Sequence, residues 1–377
     1  MKIAVNTRLL QKDKLEGIGW FSHEILKRIV INHPEHQFYF IFDRKYDDSF
    51  IFANNVFPVV VPPPTRHPVL YYIWFEFQIP RFLKKIKADI FLSPDGFLTL
   101  KTKIPQITVI HDICFVHYPN QLPFFNKKYN NYYFPKFAKI AKHILTVSQF
   151  SKNDISNTYN IDKDKITVCY NAAQSIYTPI SDEIKIETKK KYSQGEDYFV
   201  FVGALHPRKN ITGLLKSFDI FKKSGNYSQK LIVVGNLMHK TQDIFDTLAN
   251  LKFRDDVIFT GRLNNENLHQ VLASATALVY IPFFEGFGIP LVEAMSCEIP
   301  IISGNASSLP EIANEAALYT DADNHKKTAD LMQQIVENKE LRKNLIEKGK
   351  IQLKKFSWDK SAEIMWDCIL KVYQENA

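Results

Sequence analysis

Short runs of apolar residues recur along the chain, and each ends in polar or turn residues. In the first half "KIAVNTRLL", "QFYFIFD", "ADIFLSPD", "PQITVIHD" and "KHILTVSQ" read as strands. In the second half "DYFVFVGAL", "KLIVVGN", "DVIFTGR", "ATALVYIP" and "IPIISG" do the same. Between them lie stretches with apolar positions at helical spacing, such as "GIGWFSHEILKRIV". Runs that are apolar at consecutive positions suit strands buried on both faces. Their alternation with amphipathic helices predicts α/β units built on parallel sheets. After "KHILTVSQ", Ser151 and Asp154 have capping-box spacing, which predicts a helix starting at Ser151. Two units are expected, the second beginning near "EDYFVFVGAL". The stretch "NAAQSIYTPISDEIKIETKKKYSQGED" has no clear period and suits the junction.

Length agrees, since 377 residues give room for two ordinary domains. Apolar residues make up 45% of the chain, enough for a substantial core. No apolar run reaches the roughly 18 residues of a membrane span. The opening "MKIAVNTRLL" lacks a long apolar region and a cleavage pattern, which disfavours secretion. Cys114, Cys169, Cys297 and Cys368 show no C-x-x-C spacing and fit buried thiols in a reducing compartment.

Charge is uneven. Residues 1–170 hold 23 lysines and arginines against 14 aspartates and glutamates, a net +9; the remainder holds 25 against 26, a net −1. A basic first half can face an anionic membrane, an acidic substrate or nucleic acid, or can simply keep the surface soluble.

In open α/β sheets ligands bind where strands end and loops enter helices. Four such places carry candidate chemistry. Gly17 and Gly19 precede a predicted helix, where backbone can approach an anion; a plain flexible turn explains them equally well. His111 and Asp112 directly follow a strand, a placement that is more often structural than catalytic. Arg208 and Lys209 follow the first strand of the second unit, and Asn210 can cap the next helix. Two cations beside a helix start make a diphosphate site, and a solvated basic turn is the bland alternative. In "FFEGFGIPLVEAMSCEIPIISG", Glu285 and Glu293 flank two glycines and Pro290. Pro290 suits a first helical turn, so "PLVEAMSC" should be helical. Both carboxylates can then address one ligand, with the amides of Phe287 and Gly288 between them. Sugar diols are natural partners for carboxylates.

"FFEGFGIPLVEAM" resembles the E-x7-E signature of retaining family-4 glycosyltransferases. It stands in order with "VIHDICFVHYP", "LTVSQFSKNDI", "ITVCYNAAQSIYTP", "GALHPRKNI", "VIFTGRL", "SSLPEIANEAALY" and "FSWDKSAEIMWDCILKVY", which resemble other segments of that family, especially its mannosyltransferase-like members. The resemblance implies a GT-B fold: two Rossmann-like parallel-sheet domains facing a cleft. The acceptor-side domain would be 1–175, rejoined by a C-terminal helix at about 358–377. The nucleotide-sugar domain would be 176–357. It implies that Glu285 meets donor-sugar hydroxyls and Glu293 the ribose diol. Amides at Gly286, Phe287 and Gly288 would meet the sugar or β-phosphate, with Ile289 in the same substrate-binding set. Arg208 and Lys209 would neutralise the diphosphate. His111 would lie near the transferred sugar with Asp112 beside it. Gly17 and Gly19 match a loop over the phosphates or acceptor, and Arg262 and Leu263 lie where the base is often contacted. No metal and no cofactor is required, because fixed cations stabilise the leaving group. Asn314 departs from the pattern, since family members often carry glycine there.

The implied activity is retaining transfer of a hexose, mannose favoured, from GDP-mannose or a UDP-sugar to a saccharide or lipid-linked acceptor. Such an enzyme would work in the cytoplasm, at the inner face of the plasma membrane if its basic half meets anionic lipid. Alternatives are a GT-B epimerase or phosphorylase, a Rossmann oxidoreductase, or a non-enzymatic basic binder of membrane or nucleic acid. The oxidoreductase lacks a G-x-G-x-x-G with its ribose acid. The basic binder leaves the paired glutamates unexplained.

Overall fold

The computed structural model describes residues 1–238 and 241–376. The chain divides into two compact units, Met1–Asn171 with Ser357–Ala377, and Ala172–Phe356.

The first unit is a seven-stranded parallel sheet of β1 (Lys2–Asn6), β2 (Gln37–Phe42), β3 (Val56–Val60), β4 (Ile90–Ser93), β5 (Gln106–Val109), β6 (His143–Thr146) and β7 (Ile166–Val168). Its spatial order is β3-β2-β1-β4-β5-β6-β7. Ile3 pairs with Phe38 on one side and Ile90 on the other, so β1 and β4 are neighbours and the winding reverses between them. The second unit has β8 (Tyr198–Val202), β9 (Lys230–Val234), β10 (Val257–Gly261), β11 (Ala277–Tyr280), β12 (Ile301–Gly304) and β13 (Ala317–Thr320). Their order is β10-β9-β8-β11-β12-β13, and here the winding reverses between β8 and β11. Each reversal leaves a crevice at the carboxyl ends of two adjacent strands, the usual ligand position in such sheets.

Every residue of β4, β5, β6, β8, β9, β11 and β12 is buried, which is why most of these strands read as near-continuous apolar runs; β5 (QITV) and β6 (HILT) bury polar side chains as well. The edge strands are only partly covered. β3 even carries Pro58, tolerated because an edge strand needs no amide on its open side.

The predicted helix start at Ser151 is corrected. The helix is Gln149–Tyr159, and Ser148 is its cap, its Oγ accepting from the Ser151 amide at 3.0 Å. Ser151 is thus the capped residue rather than the cap, and Asp154 pairs with His117 at 2.8 Å. The aperiodic stretch after residue 171 holds a helix, Asp182–Ser193, capped by Ser181. It buries only Thr188 and Ser193, so no apolar stripe marks it in the sequence. The last helix, Trp358–Gln374, packs in the first unit. Trp366 stacks on His33 with centroids 3.7 Å apart, and Asp359 pairs with Arg28 at 2.5 Å.

Candidate active site

The second unit concentrates the charged candidates at its switch point. After β8 the chain makes a short 3-10 turn, Pro207–Lys209, and enters the helix Ile211–Lys223 through Asn210. Asn210 is left-handed (φ 56°), and its Oδ1 caps the Gly213 amide at 3.2 Å. A Cβ on Gly213 would stand 2.4 Å from that oxygen, so the cap requires glycine there. The Asn210 Nδ2 donates to the carbonyls of Ile281 (3.1 Å) and Ala322 (2.7 Å), tying this turn to the loops after β11 and β13. The Phe283 amide also donates to the Arg208 carbonyl at 2.9 Å. These bonds fix Arg208 and Lys209 against the loop that carries Glu285.

The side chains then converge. Lys209 Nζ lies 2.5 Å and Arg208 Nη1 2.9 Å from Glu285 Oε1, and the Tyr280 hydroxyl donates to the same oxygen at 3.0 Å. Lys209 also donates to the Tyr280 hydroxyl at 2.7 Å, and Arg208 to the Phe284 carbonyl at 2.5 Å. Burial alone would raise the Glu285 carboxyl; the charges of Arg208 and then Lys209 outweigh it and hold the group ionised, below its ordinary range. The loop beneath is pinned by Ser308, whose Oγ donates to the carbonyls of Glu285 (2.9 Å) and Phe287 (3.0 Å). Gly288 takes φ 94°, where a Cβ would also strike Leu309 at 2.8 Å. It leads into the helix Ile289–Ser296, with Pro290 in its first turn.

Glu293 sits on that helix, buried, with the Tyr177 hydroxyl as its hydrogen-bond partner. Burial raises its carboxyl to about 7. Five residues beyond the cap Gly288, it lies past the first turn, where a helix dipole would act most strongly. Both carboxyls bear on the Tyr280 hydroxyl, whose ionisation burial pushes far up. Arg262 and Leu263 follow the edge strand β10, two strands from β8 in the sheet.

In the first unit, His111 follows β5 and is held by its Nε2, 2.9 Å from the Pro94 carbonyl, with Phe21 edge-on at 4.9 Å. Burial lowers its proton affinity, so the imidazole is neutral at neutral pH. Nε2 faces a carbonyl and must donate, which leaves Nδ1 as an acceptor. Asp112 accepts from the Cys114 amide at 2.9 Å, at the entry of the short helix Cys114–His117. Gly17 and Gly19 do not precede the helix: it runs Gly17–Asn32 and contains both. A Cβ at Gly19 would come within 3.0 Å of Leu15 and 3.2 Å of the Leu9 carbonyl, so close packing of the preceding loop on the first turn accounts for this glycine.

Sequence reasoning missed Tyr280, Tyr177 and Ser308. Tyr280 lies inside an apolar strand and Tyr177 in the aperiodic junction, so neither carries a local signal. It also missed a buried pair in the first unit: Arg8, just after β1, and Asp95, just after β4, lie 2.5 Å apart. Both follow strand ends, the one signal that could have found them. Among the described residues no group of three or more His, Cys, Asp or Glu is placed to hold a metal ion, and no helix is long and apolar enough to cross a membrane.

Two parallel-sheet units, with an arginine, a lysine and a glutamate gathered at the second switch point, define a doubly wound two-domain α/β protein with a charged strand-end cluster. Comparison with known proteins agrees. The family described as "Glycosyltransferase Family 4" matches residues 29–174, and "Glycosyl transferases group 1" matches residues 182–352. The chain belongs to the family-4 glycosyltransferases and has their GT-B fold. It is 28% identical over 371 residues to O-antigen chain mannosyltransferase B of Escherichia coli, covering 95% of this chain and 97% of that one. It is 34% identical over 221 residues to O-antigen chain mannosyltransferase RfbU of Salmonella typhimurium, covering 59% and 58%. Anabaena Alr3699/HepE, solved in complex with UDP and glucose, superposes with a TM-score of 0.76 over 98% of this chain and 100% of that one at 15% identity, a likeness of fold.

Proposed function

We propose that this hexosyltransferase moves mannose from GDP-mannose to a saccharide or lipid-linked acceptor, with retention of configuration, in cell-surface glycan synthesis. The convergence of Lys209, Arg208 and Tyr280 on Glu285 carries the reading. A donor diphosphate would take over the two cations, since phosphate oxygens match their charge and geometry. Glu285 would then be released to orient sugar hydroxyls. Glu293 would hold the ribose diol, with the Gly286–Ile289 segment along the sugar and β-phosphate. Arg262 and Leu263 would meet the base. His111 would present its Nδ1 lone pair to a sugar hydroxyl, with Asp112 and the Gly17–Gly19 turn supporting the acceptor side.

In the reaction the bond from the anomeric carbon to the phosphate oxygen breaks. The acceptor oxygen bonds to that carbon on the same face, and its proton passes to the departing phosphate oxygen. Negative charge grows on the leaving group, where fixed cations in a dry site stabilise it most; no metal is needed for that step. The mannosyltransferase names of both relatives support the sugar, and the UDP of the Anabaena neighbour makes UDP-sugars the next choice. We place the enzyme in the cytoplasm, at an anionic inner membrane face that its basic first half would meet.

A thermal-shift screen of nucleotide-sugars tests this. At 100 times its dissociation constant a ligand adds roughly 2.7 kcal/mol of stability. GDP-mannose should give the largest shift, and [14C]mannose from it should enter acceptor extracts. A larger shift with a UDP-sugar would reassign the donor, and no shift with any nucleotide-sugar would remove the reading.

A further inference from the structure

Away from these groups, the helices Pro68–Ile73 and Phe124–Ile140 border an open groove of about 800 Å3. That volume lies in the range, about 300–1,000 Å3, of sites that take small molecules. Its walls are aromatic and aliphatic, formed by Val69, Tyr72, Phe125, Tyr129, Tyr132 and Tyr133. Phe125 is 62% and Tyr132 58% exposed, and Phe124 at the rim 61%. A contiguous exposed patch of such rings marks an interaction site.

The rim is cationic. Lys128 Nζ stands 4.4 Å from the Phe124 ring centroid, Lys136 3.3 Å from that of Tyr132, and Lys101 3.8 Å from that of Phe77, whose ring packs on Tyr72. None of the described residues lining the groove is acidic. Glu76, on the adjoining segment, is buried and accepts from the Leu100 amide at 3.0 Å. The Tyr129 hydroxyl is buried with no hydrogen-bond partner. The Tyr129 ring meets Tyr71 and Phe97, and those two rings face the Arg8 guanidinium at 5.2 and 4.4 Å. A continuous set of ring contacts thus backs the groove as far as the sealed Arg8–Asp95 pair, so the open, cationic side of the groove is its rim.

We propose that this groove holds the hydrocarbon chain of the acceptor, an amphiphile whose head carries a phosphate, with Lys128 and Lys136 meeting the anion. The assignment rests on the glycosyl-transfer reading. Apolar concave walls call for hydrocarbon, and a cationic rim without carboxylates calls for an anionic head. A flat bilayer would touch the protruding Phe124 and Phe125 but would not fill a concavity between two helices.

The full chain, titrated with farnesyl phosphate below its micellar concentration, tests the proposal. Farnesol and inorganic phosphate serve as half-ligands. Farnesyl phosphate should bind, with each half-ligand about tenfold or more weaker, since a charge-assisted contact and an apolar wall each account for at least that factor. F125S/Y132S should lose about tenfold or more while keeping the wild-type melting temperature, because both side chains are exposed. K128A/K136A should narrow the gap between farnesyl phosphate and farnesol. Equal binding by F125S/Y132S would overturn the proposal. So would binding to phosphatidylglycerol vesicles with none to monomeric farnesyl phosphate, which would make the patch a bilayer contact. The nucleotide-sugar shift, measured on the same protein, reports the transferase reading separately. Farnesyl phosphate binding without a donor shift removes the transferase reading, and a donor shift without farnesyl phosphate binding removes the groove.

Discussion

Each sheet places an arginine against a carboxylate at its switch point, and the two pairs differ in closure. In the first unit Asp95 takes the Arg8 guanidinium and also accepts from Asn6 (2.9 Å), Ser93 (3.0 Å) and the Phe97 amide (3.3 Å). Arg8 donates to Thr65 as well and lies against Phe97, Tyr71 and Phe75. Both side chains are almost fully covered, at 7% and 3% exposure. In the second unit the three donors crowd onto a single oxygen of Glu285, and the cations stay partly open, Arg208 at 21% and Lys209 at 13%. One arrangement is saturated and sealed under rings. The other neutralises its charges with bonds that a diphosphate can replace. Similar residue types at matching places therefore form a sealed structural strut in one unit and a partly open cluster in the other, the one proposed above to exchange its carboxylate for a diphosphate.

Breaking the strut should give the largest effect. Asp95→Ala leaves a buried guanidinium unpaired and should cost about 3–5 kcal/mol of stability, read by urea denaturation. A loss under about 1 kcal/mol would mean that Arg8 finds water or another partner, and the contrast with the second unit would fail.

Glu285→Gln acts on the exchangeable site. Turnover should fall by about 100-fold or more, the scale of removing one preorganised polar contact at the reacting centre. Nucleoside diphosphate should bind as tightly as before or more tightly, because Arg208 and Lys209 lose their competing carboxylate. Weaker diphosphate binding in this variant would show that Glu285 supports the cations rather than competing for them.

Glu293 sharpens the comparison through pH. Its native carboxyl titrates at about 7 against an ordinary 4.5, so between those values the folded protein holds a proton that the unfolded chain has released. Stability therefore falls as pH rises through that window, by on the order of 3 kcal/mol in all. Glu293→Gln should remove this slope. Denaturant midpoints measured at about pH 5 and about pH 8 in both proteins decide it; parallel slopes would mean that Glu293 titrates as an ordinary surface acid.

The smallest effect lies away from both switch points. Asn314 adopts φ 46° and ψ −125°, a conformation open mainly to glycine. Asn314→Gly should raise stability by about 1 kcal/mol after the entropy cost of glycine, visible as a higher melting temperature. An unchanged or lower melting temperature would show that the Asn314 side chain offsets its own backbone strain.

The interior strands were legible because burial on both faces writes consecutive apolar residues, as in "FVFV" and "LIVV". Edge strands β3, β7 and β13 escaped, since partial cover relaxes that pattern and even admits Pro58. Asp182–Ser193 escaped because a helix that buries two small residues needs no stripe. Arg208, Lys209 and Glu285 were legible as polar residues after strands of one unit. Their mutual contact was not, because it depends on β8 and β11 being neighbours, which is topology rather than local pattern. The Arg8–Asp95 strut was hidden for the same reason, its partners being 87 residues apart.

Whether the second switch point is a diphosphate site is decided by calorimetric titration of a nucleoside diphosphate and its nucleoside into wild type and Lys209→Ala. A charge-assisted hydrogen bond contributes about 1.5–3 kcal/mol, so the wild-type preference for the diphosphate should shrink more than about tenfold in the variant while nucleoside affinity holds. An unchanged preference would place the phosphates elsewhere and contradict the account.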